Sequence, residues 1–368
     1  MVKLIWENKS DISTNFEKLK KKYRNKFKCI EKIDNLYHKN YQSKSSKQYW
    51  TNKLFWSDNL NVLFYLLNSF QKKINLIYID PPFFSGANYH IKIKDKDLIY
   101  NAIAYYDHWK KDLDSYLQMM YERIFLFKEL LSKTGLIFIH LDWHASHYLR
   151  LILDEIFGNN RFVNHIIWYY YNKYSAGKKN LPRAHDDILV YSKSSNYTFN
   201  EIRIPRKKPK KQLKRVMING VLKNAKDENG RVIYRIVTDK KLDDVWRIPC
   251  MQPASKEWMG YPTQKHHDLL ERIIKLGSNK GDLIADFFCG SGTTLLAAEK
   301  LNRKWIGCDI SEYSIYLTRK RIVKFQKSQQ HFLKSKYPIE LYMYLTENRK
   351  KIVESGFFKK KLIMKRKK

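Results

Sequence analysis

Leu76-Ile77-Tyr78-Ile79 is a short apolar run that delivers the tetrapeptide Asp80-Pro81-Pro82-Phe83. Such a run predicts a strand, and an Asp at its C-terminal end stands where α/β sheets place their ligands. The two prolines fix φ and remove two backbone donors. What remains in the turn is a carboxylate, carbonyl acceptors and an aromatic face. An exocyclic amine on a nucleobase is a poor nucleophile, because its lone pair is conjugated into the ring. Acceptors on both N–H bonds would localise that lone pair as a methyl group arrives. Asp80 and the Pro81 carbonyl can supply these acceptors, and Phe83 can stack on a base extruded from its helix. The tetrapeptide taken alone fits equally an ordinary strand-to-turn junction with Asp80 as a cap.

A second pattern runs Asp286-Phe287-Phe288-Cys289-Gly290-Ser291-Gly292-Thr293-Thr294, after one apolar run and before a helical stretch. The next apolar run ends Ile306-Gly307-Cys308-Asp309. Asp309 lies 19 residues beyond Gly290, close to the offset at which a carboxylate binds ribose hydroxyls. Leu295 and Leu296 stand where a dinucleotide fingerprint has its third glycine, so a pyrophosphate lacks its close-approach site. A nucleoside cofactor without phosphates fits better, and S-adenosyl-L-methionine is one. Asp286, Phe288, Gly290, Gly292, Thr293 and Asp309 are the candidate residues for it.

From about residue 52 the chain alternates short apolar runs with amphipathic stretches, which predicts α/β architecture. Strands are expected at 53–56, 74–79, 136–140, 188–191, 283–288 and 305–308. Helices are expected at 60–70, 113–131, 146–157, 264–276, 294–301 and 312–325. That order implies a mostly parallel sheet covered on both faces. Residues 195–245 break the rhythm: Pro205-Arg206-Lys207-Lys208-Pro209-Lys210-Lys211 precedes Asp227-Glu228-Asn229-Gly230, a turn between polar strands. This reads as an inserted, basic, partly β module. Residues 1–50 read as a Lys-rich appendage, and the chain after about 326, ending in Lys365-Arg366-Lys367-Lys368, as loosely ordered.

The chain has 71 Lys and Arg against 36 Asp and Glu, a net charge of +35. A field of that sign attracts a polyanion, and abundant Tyr, Phe and Trp suit base stacking as well as core packing. Cys29, Cys250, Cys289 and Cys308 form no CxxC pair, which argues against a zinc knuckle or disulfide frame and for a reducing compartment. No apolar stretch is long enough to span a bilayer and no signal-peptide core opens the chain. A soluble, intracellular protein without a membrane partner is expected.

The Asp80-Pro81-Pro82-Phe83 box preceding the Gly290-Ser291-Gly292 loop resembles the beta group of amino-methylating DNA methyltransferases. Ser57-Asp58-Asn59 resembles that family's early strand-end acidic site. Asp107-His108-Trp109 and Ser115-Tyr116-Leu117 resemble its helix entry after the catalytic loop. Tyr261-Pro262-Thr263-Gln264-Lys265 is similar to the element contacting the cofactor's methionine end, which usually continues with proline where this chain has His266. Phe83 replaces a commoner Tyr. The resemblance covers about residues 50–325. It implies a Rossmann-like class I methyltransferase fold, circularly permuted, as a seven-stranded sheet with a reversed edge hairpin.

It further implies a catalytic half at 51–160 and a sheet edge with target-recognition insertion at 161–255. A cofactor-binding half follows at 256–326, with basic extensions at 1–50 and 327–368. Asp80, Pro81, Pro82 and Phe83 would be catalytic, and Asp58, Thr263, Gln264 and Lys265 would join the cofactor residues. Lys207, Lys208, Lys210 and Lys211 would meet DNA phosphates. The expected activity is methylation of adenine N6 in double-stranded DNA, in the bacterial cytoplasm. A cognate restriction endonuclease is an expected partner and a homodimer an expected assembly. N4-cytosine methylation, an RNA substrate and a non-catalytic DNA-recognition subunit are the alternatives; Asp rather than Ser before Pro-Pro favours adenine.

Other signals carry less. Pro249-Cys250 resembles a C5-methylation nucleophile, but the loop that chemistry needs holds Asp80. His140, Asp142, His144 and His147 have helix-like ligand spacing, yet His140 should end a strand, so no metal is expected. Trp168-Tyr169-Tyr170-Tyr171 suits base stacking or strand packing equally.

Overall fold

The structure, a computed structural model, describes residues 3–23, 26–33, 50–86, 88–95, 98–106, 112–173, 179–328 and 337–344. Asp107-His108-Trp109 and the lysine-rich run at 359–368 lie outside them. Helix α1 (Phe16–Tyr23) and strand β1 (Phe27–Ile33) come first, then β2 (Asn52–Trp56), α2 (Asn59–Phe70) and β3 (Ile74–Ile79). A hairpin of β4 (Asn88–Asp95) and β5 (Leu98–Tyr106) leads to α3 (Leu113–Leu130), β6 (Leu131–Leu141) and α4 (Ser146–Phe157). Strands β7 (Phe162–Tyr169) and β8 (His185–Ser192) precede β9 (Arg203–Leu213), β10 (Arg215–Ile218), β11 (Val221–Asn224) and β12 (Tyr234–Lys241). After β13 (Val245–Arg247) come α5 (His267–Gly277), β14 (Leu283–Asp286), α6 (Thr293–Lys300), β15 (Lys304–Asp309), α7 (Glu312–Ser328) and β16 (Ile339–Tyr344).

Ten strands form one sheet in the order β1-β16-β2-β15-β14-β3-β6-β8-β7-β13. The neighbours from β16 to β6 run parallel, and β8 runs antiparallel to both β6 and β7. Alternation along each strand sends side chains to opposite faces, so buried strands on both faces read as continuous apolar runs. In β3, Ile77 and Ile79 join a core layer with Val62, Leu63 and Phe127 from α2 and α3. Leu76 and Tyr78 join the opposite layer with Leu270 and Ile273 from α5. The α5 stripe of Leu269, Leu270, Ile273 and Ile274 is fully buried, each side chain contributing about 1.5–3 kcal/mol as an upper bound. A Cβ on Gly277 would lie 2.7 Å from Leu76 and 3.0 Å from Phe138, so only glycine lets α5 end this close to the sheet.

Three expectations need correction. The N-terminal segment is no appendage: Trp6 and Ile12 are in the core, and Tyr23 stacks on Phe64. Strand β1 pairs antiparallel with β16. The segment after 326 likewise returns to the sheet, where β16 lies parallel to β2. Their lysines masked alternating apolar positions that a charged edge strand tolerates. Among the described residues the sheet therefore has ten strands. The expected seven, with β8 reversed, are its interior, and β1, β16 and β13 extend its edges.

The 195–245 insertion is β-rich, with β9 paired to β12 and β10 to β11. Its turn forms as the residue types predict: Asp227 Oδ1 accepts from Asn229 N at 3.0 Å and from Arg231 N at 2.8 Å. Among the described residues, no helix is long and apolar enough to cross a membrane.

Candidate active site

Strands β15, β14 and β3 are adjacent and parallel, so their C-terminal ends share one rim. That rim carries Asp309, Asp286 and, one residue past β3, Asp80. Between them the chain bends through Gly290 (φ 48°) and Gly292 (φ 75°) into α6. Both bends lie in the left-handed region that glycine adopts without strain. A Cβ on Gly292 would fall 2.6 Å from Thr318 Oγ1, and one on Gly290 would fall 3.1 Å from the Tyr261 ring. Thr318 Oγ1 donates to the Gly290 carbonyl at 3.0 Å, and Cys289 N donates to the Cys308 carbonyl at 3.0 Å.

Each acid is held differently. Asp309 Oδ2 accepts from Gly290 N and Oδ1 from Ser311 N, both at 2.8 Å. Burial nonetheless raises its carboxyl above the usual value. Asp286 Oδ1 accepts from Phe288 N at 3.0 Å. Burial pushes the Asp286 carboxyl up to about 7, against hydrogen bonds from Thr294 and Phe288, with the charges of Asp80 and Asp309 adding to the rise. Asp80 is ion-paired through Oδ2 to the Lys265 ammonium, while its Oδ1 is buried with no hydrogen-bond partner. Buried acceptors are nearly always satisfied, so Oδ1 is an acceptor held ready for a donor.

Pro81 is buried and Pro82 half-buried. Phe83 packs on the core edge with its ring 6.0 Å from His140, and Lys265 Nζ lies 5.5 Å from the Phe83 ring centre. Phe84, next in the loop, has φ 62°, the kind of backbone strain that collects at functional turns. Behind this wall, Tyr78 Oη meets His140 Nδ1 at 2.9 Å, and His140 Nε2 meets Asp186 Oδ2 at 3.1 Å. Tyr170 Oη donates to Asp186 Oδ1 at 3.2 Å. Burial would raise the Asp186 carboxyl, but the His140 hydrogen bond and charge, with Lys265 nearby, hold it below the ordinary range. In its neutral form His140 donates from Nε2 and accepts the Tyr78 proton at Nδ1.

The other candidate residues have the following partners within the fold. Lys265 engages Asp80. Gln264 clamps its own loop, donating to the Glu257 carbonyl at 2.8 Å and accepting from Met259 N at 2.9 Å. Thr263 takes φ 60°, which keeps helix α5 from starting at 264. His266 caps that helix instead, its Nδ1 accepting from Asp268 N at 3.3 Å. Burial lowers the His266 pKa, keeping the ring neutral and able to accept, so histidine serves the helix start without proline.

Asp58 is the N-cap of α2, accepting from Leu60 N at 2.8 Å, and pairs with buried Arg123 at 3.2 Å. Thr293 Oγ1 accepts from Arg321 at 2.9 Å. Lys207, Lys208, Lys210 and Lys211 are exposed and far along the chain from the rim. Residues 206–209 stand opposite Thr238 alone, because Val237 pairs with Lys210 and Asp239 with Pro205. This bulge accommodates Pro209, which has no N–H for a ladder.

The His140, His144 and His147 set does not gather: His144 pairs with Asp142 at 2.6 Å, while His140 belongs to the Tyr78–Asp186 chain. Among the described residues, the donors near enough to share an ion are His266, His267 and Asp268. His266 is occupied as a cap, and His267 lies 2.7 Å from Glu257. Cys250 is half-buried and its carbonyl accepts from Asn172. Trp168 and Trp246 are buried packing residues, whereas Tyr169 is exposed.

Sequence reasoning missed Asp186, Arg123 and Thr318 as site-building residues. Tyr78, a hydroxyl two positions before Asp80 in an apolar strand, was a legible signal. Asp186 and Thr318 had none, since only the fold brings them to the rim.

A seven-stranded sheet interior that is parallel but for β8, a Gly-x-Gly bend and strand-end acids define the Rossmann-like methyltransferase class. The chain belongs to the DNA methylase family, whose profile matches residues 74–320. It is 31% identical over 333 residues to the type II methyltransferase M.EcaI of Enterobacter cloacae, covering 76% of this chain and 71% of that one. It is 28% identical over 260 residues to the DNA adenine methyltransferase YhdJ of Escherichia coli, covering 68% and 76%. Among solved structures, PvuII DNA methyltransferase, cytosine-N4-specific, aligns with TM-score 0.48 at 16% identity, over 84% of this chain and 93% of that one.

Proposed function

We propose that this chain is a site-specific DNA methyltransferase that transfers a methyl group from S-adenosyl-L-methionine to adenine N6. The observation that carries this reading is the buried, unpartnered Asp80 Oδ1 on a rim shared with Asp286 and Asp309. Three carboxyls on adjacent strand ends repel one another and an anionic pyrophosphate alike. They suit a cofactor that is cationic at its ammonium and sulfonium. When bound, that cofactor supplies an electrophilic methyl on sulfur.

The protein's own residues do the rest. Asp80 Oδ1 accepts one amine N–H, and the Pro81 carbonyl, in a turn stripped of donors, accepts the other. Phe83 stacks on the extruded base, backed by the His140 ring. Asp309 closes the glycine loop through Gly290 N and would accept from the ribose hydroxyls of the bound cofactor. Transfer would form the N–C bond as the S–C bond of the cofactor breaks to leave a neutral thioether, with the amine's surplus proton leaving through Asp80 Oδ1, in one step and without a covalent enzyme intermediate. Asp before Pro-Pro, rather than Ser, supports adenine, as does the similarity to the DNA adenine methyltransferase YhdJ. Type II and type III restriction-modification relatives support a cognate endonuclease as the functional counterpart.

The test is incubation of purified protein with duplex DNA and methyl-labelled cofactor, followed by nucleoside analysis. Label in N6-methyladenine supports the proposal; label in N4-methylcytosine transfers it to the other amine. Label in neither overturns it.

A further inference from the structure

The β10–β11 hairpin places apolar side chains in solvent at its tip. Met217 is 66% exposed, Ile218 45%, Val221 56% and Leu222 55%. The turn is Asn219-Gly220 with φ 51° and 77°, the tight turn whose twist matches paired strands. Met217 pairs with Leu222, and Ile218 with Val221. Cross-strand partners share a face and successive pairs alternate, so the tip is apolar on both faces. The hairpin base is stitched to its module by Ala225 N to the Lys214 carbonyl at 2.8 Å and Ile233 N to the Ala225 carbonyl at 2.9 Å. Ala225 itself is buried. The ribbon thus projects from a fixed root.

Its surroundings are cationic. Residues 202–226 contain no Asp or Glu, and Lys214, Arg215 and Lys223 flank the apolar tip. A protein surface laid against one face would leave the other apolar face in water. Insertion covers both. A two-stranded ribbon fits a DNA groove, and apolar wedges entering between base steps unstack them. We propose that the 217–222 tip is a wedge that enters duplex DNA and unstacks a base step, while the flanking cations hold the phosphates. The inference rests on the DNA reading above and deepens it: the module opens the duplex as well as gripping it.

Permanganate reactivity of thymines in a bound duplex reads unstacking without knowledge of the recognition sequence. The full-length protein is compared with a variant carrying Met217→Ser, Ile218→Ser, Val221→Ser and Leu222→Ser. The wild type should make thymines hyper-reactive, and the variant should lose most of that gain, by about threefold or more, as an apolar wedge requires. The slope of log K against log salt should be equal for both, because the phosphate contacts remain. Equal thymine reactivity in wild type and variant overturns the wedge alone. So does a wild-type dimer, seen by sedimentation, that dissociates in the variant, because a second copy then covers the tip. A wild type that binds no duplex overturns both this inference and the DNA reading.

Discussion

The Lys265 ammonium is ion-paired to the Asp80 carboxylate across 185 residues of sequence, inside a rim that also holds Asp286 and Asp309. Lys265 is the cation that lets three acids crowd together, and it leaves one Asp80 oxygen, Oδ1, buried without a hydrogen-bond partner. Lys265→Met should destabilise the protein by about 3 kcal/mol, the low end for breaking a mostly buried pair. Much of that loss should return in the Asp80→Asn, Lys265→Met double variant, because no unpaired charge remains. Urea unfolding of the four proteins measures the coupling; strictly additive effects would show that the pair is not an energetic unit.

Asp80→Ala should lower methyl transfer at least about 100-fold, the scale of a lost proton acceptor. Cofactor affinity by calorimetry should stay nearly unchanged, because the proposed role sets the carboxylate on the amine and not on the cofactor. An equal loss of affinity would place Asp80 on the cofactor instead.

Cofactor affinity should rise with pH between about 6 and 8. The Asp286 carboxyl titrates near 7; below that it is neutral and above it anionic, and a cationic cofactor prefers the anion. Without cofactor the sign reverses. The folded value lies above the unfolded one, so folding takes up a proton between about 4 and 7, and this group's contribution to stability falls as pH rises through that window. Asp286→Asn should flatten both profiles. Titration calorimetry and thermal melts across pH report them, and a pH-independent affinity in wild type contradicts the assignment.

Gly292→Ala should cost about 1–3 kcal/mol, from a left-handed backbone strained by a Cβ and from the Thr318 approach at 2.6 Å. Adding Thr318→Ala should recover only part, since it removes the Oγ1 and Cγ2 atoms that crowd the new Cβ but leaves the φ and loses the hydrogen bond to the Gly290 carbonyl. Full recovery would mean the backbone carries no strain.

Neutralising Lys207, Lys208, Lys210 and Lys211 should weaken binding to all duplexes alike and flatten the salt slope by about 0.9 for each phosphate that the protein no longer neutralises. Base preference should survive, because phosphate contacts position and do not specify. An unchanged slope would assign the bulged strand β9 to solvent.

The sequence by itself determined the local elements and the chemistry at their ends. Apolar runs set β3, β14 and β15, because a strand covered on both faces must be apolar throughout. Asp80 and Gly290 were legible because prolines and glycines dictate backbone shape at the positions they occupy. The basic insertion was legible from the break in rhythm at 195–245. Tertiary structure decided what those ends meet. Nothing local in Thr263-Gln264-Lys265 says that Lys265 reaches Asp80 while Gln264 ties down residues 257–259, since that depends on how α5 docks across β3. Nothing in a lysine-rich start says that Trp6 and Ile12 are core, or that β1 pairs with β16. Pairing between strands some 300 residues apart depends on which sheet edge stays open, and only the folded sheet leaves that edge beside β2.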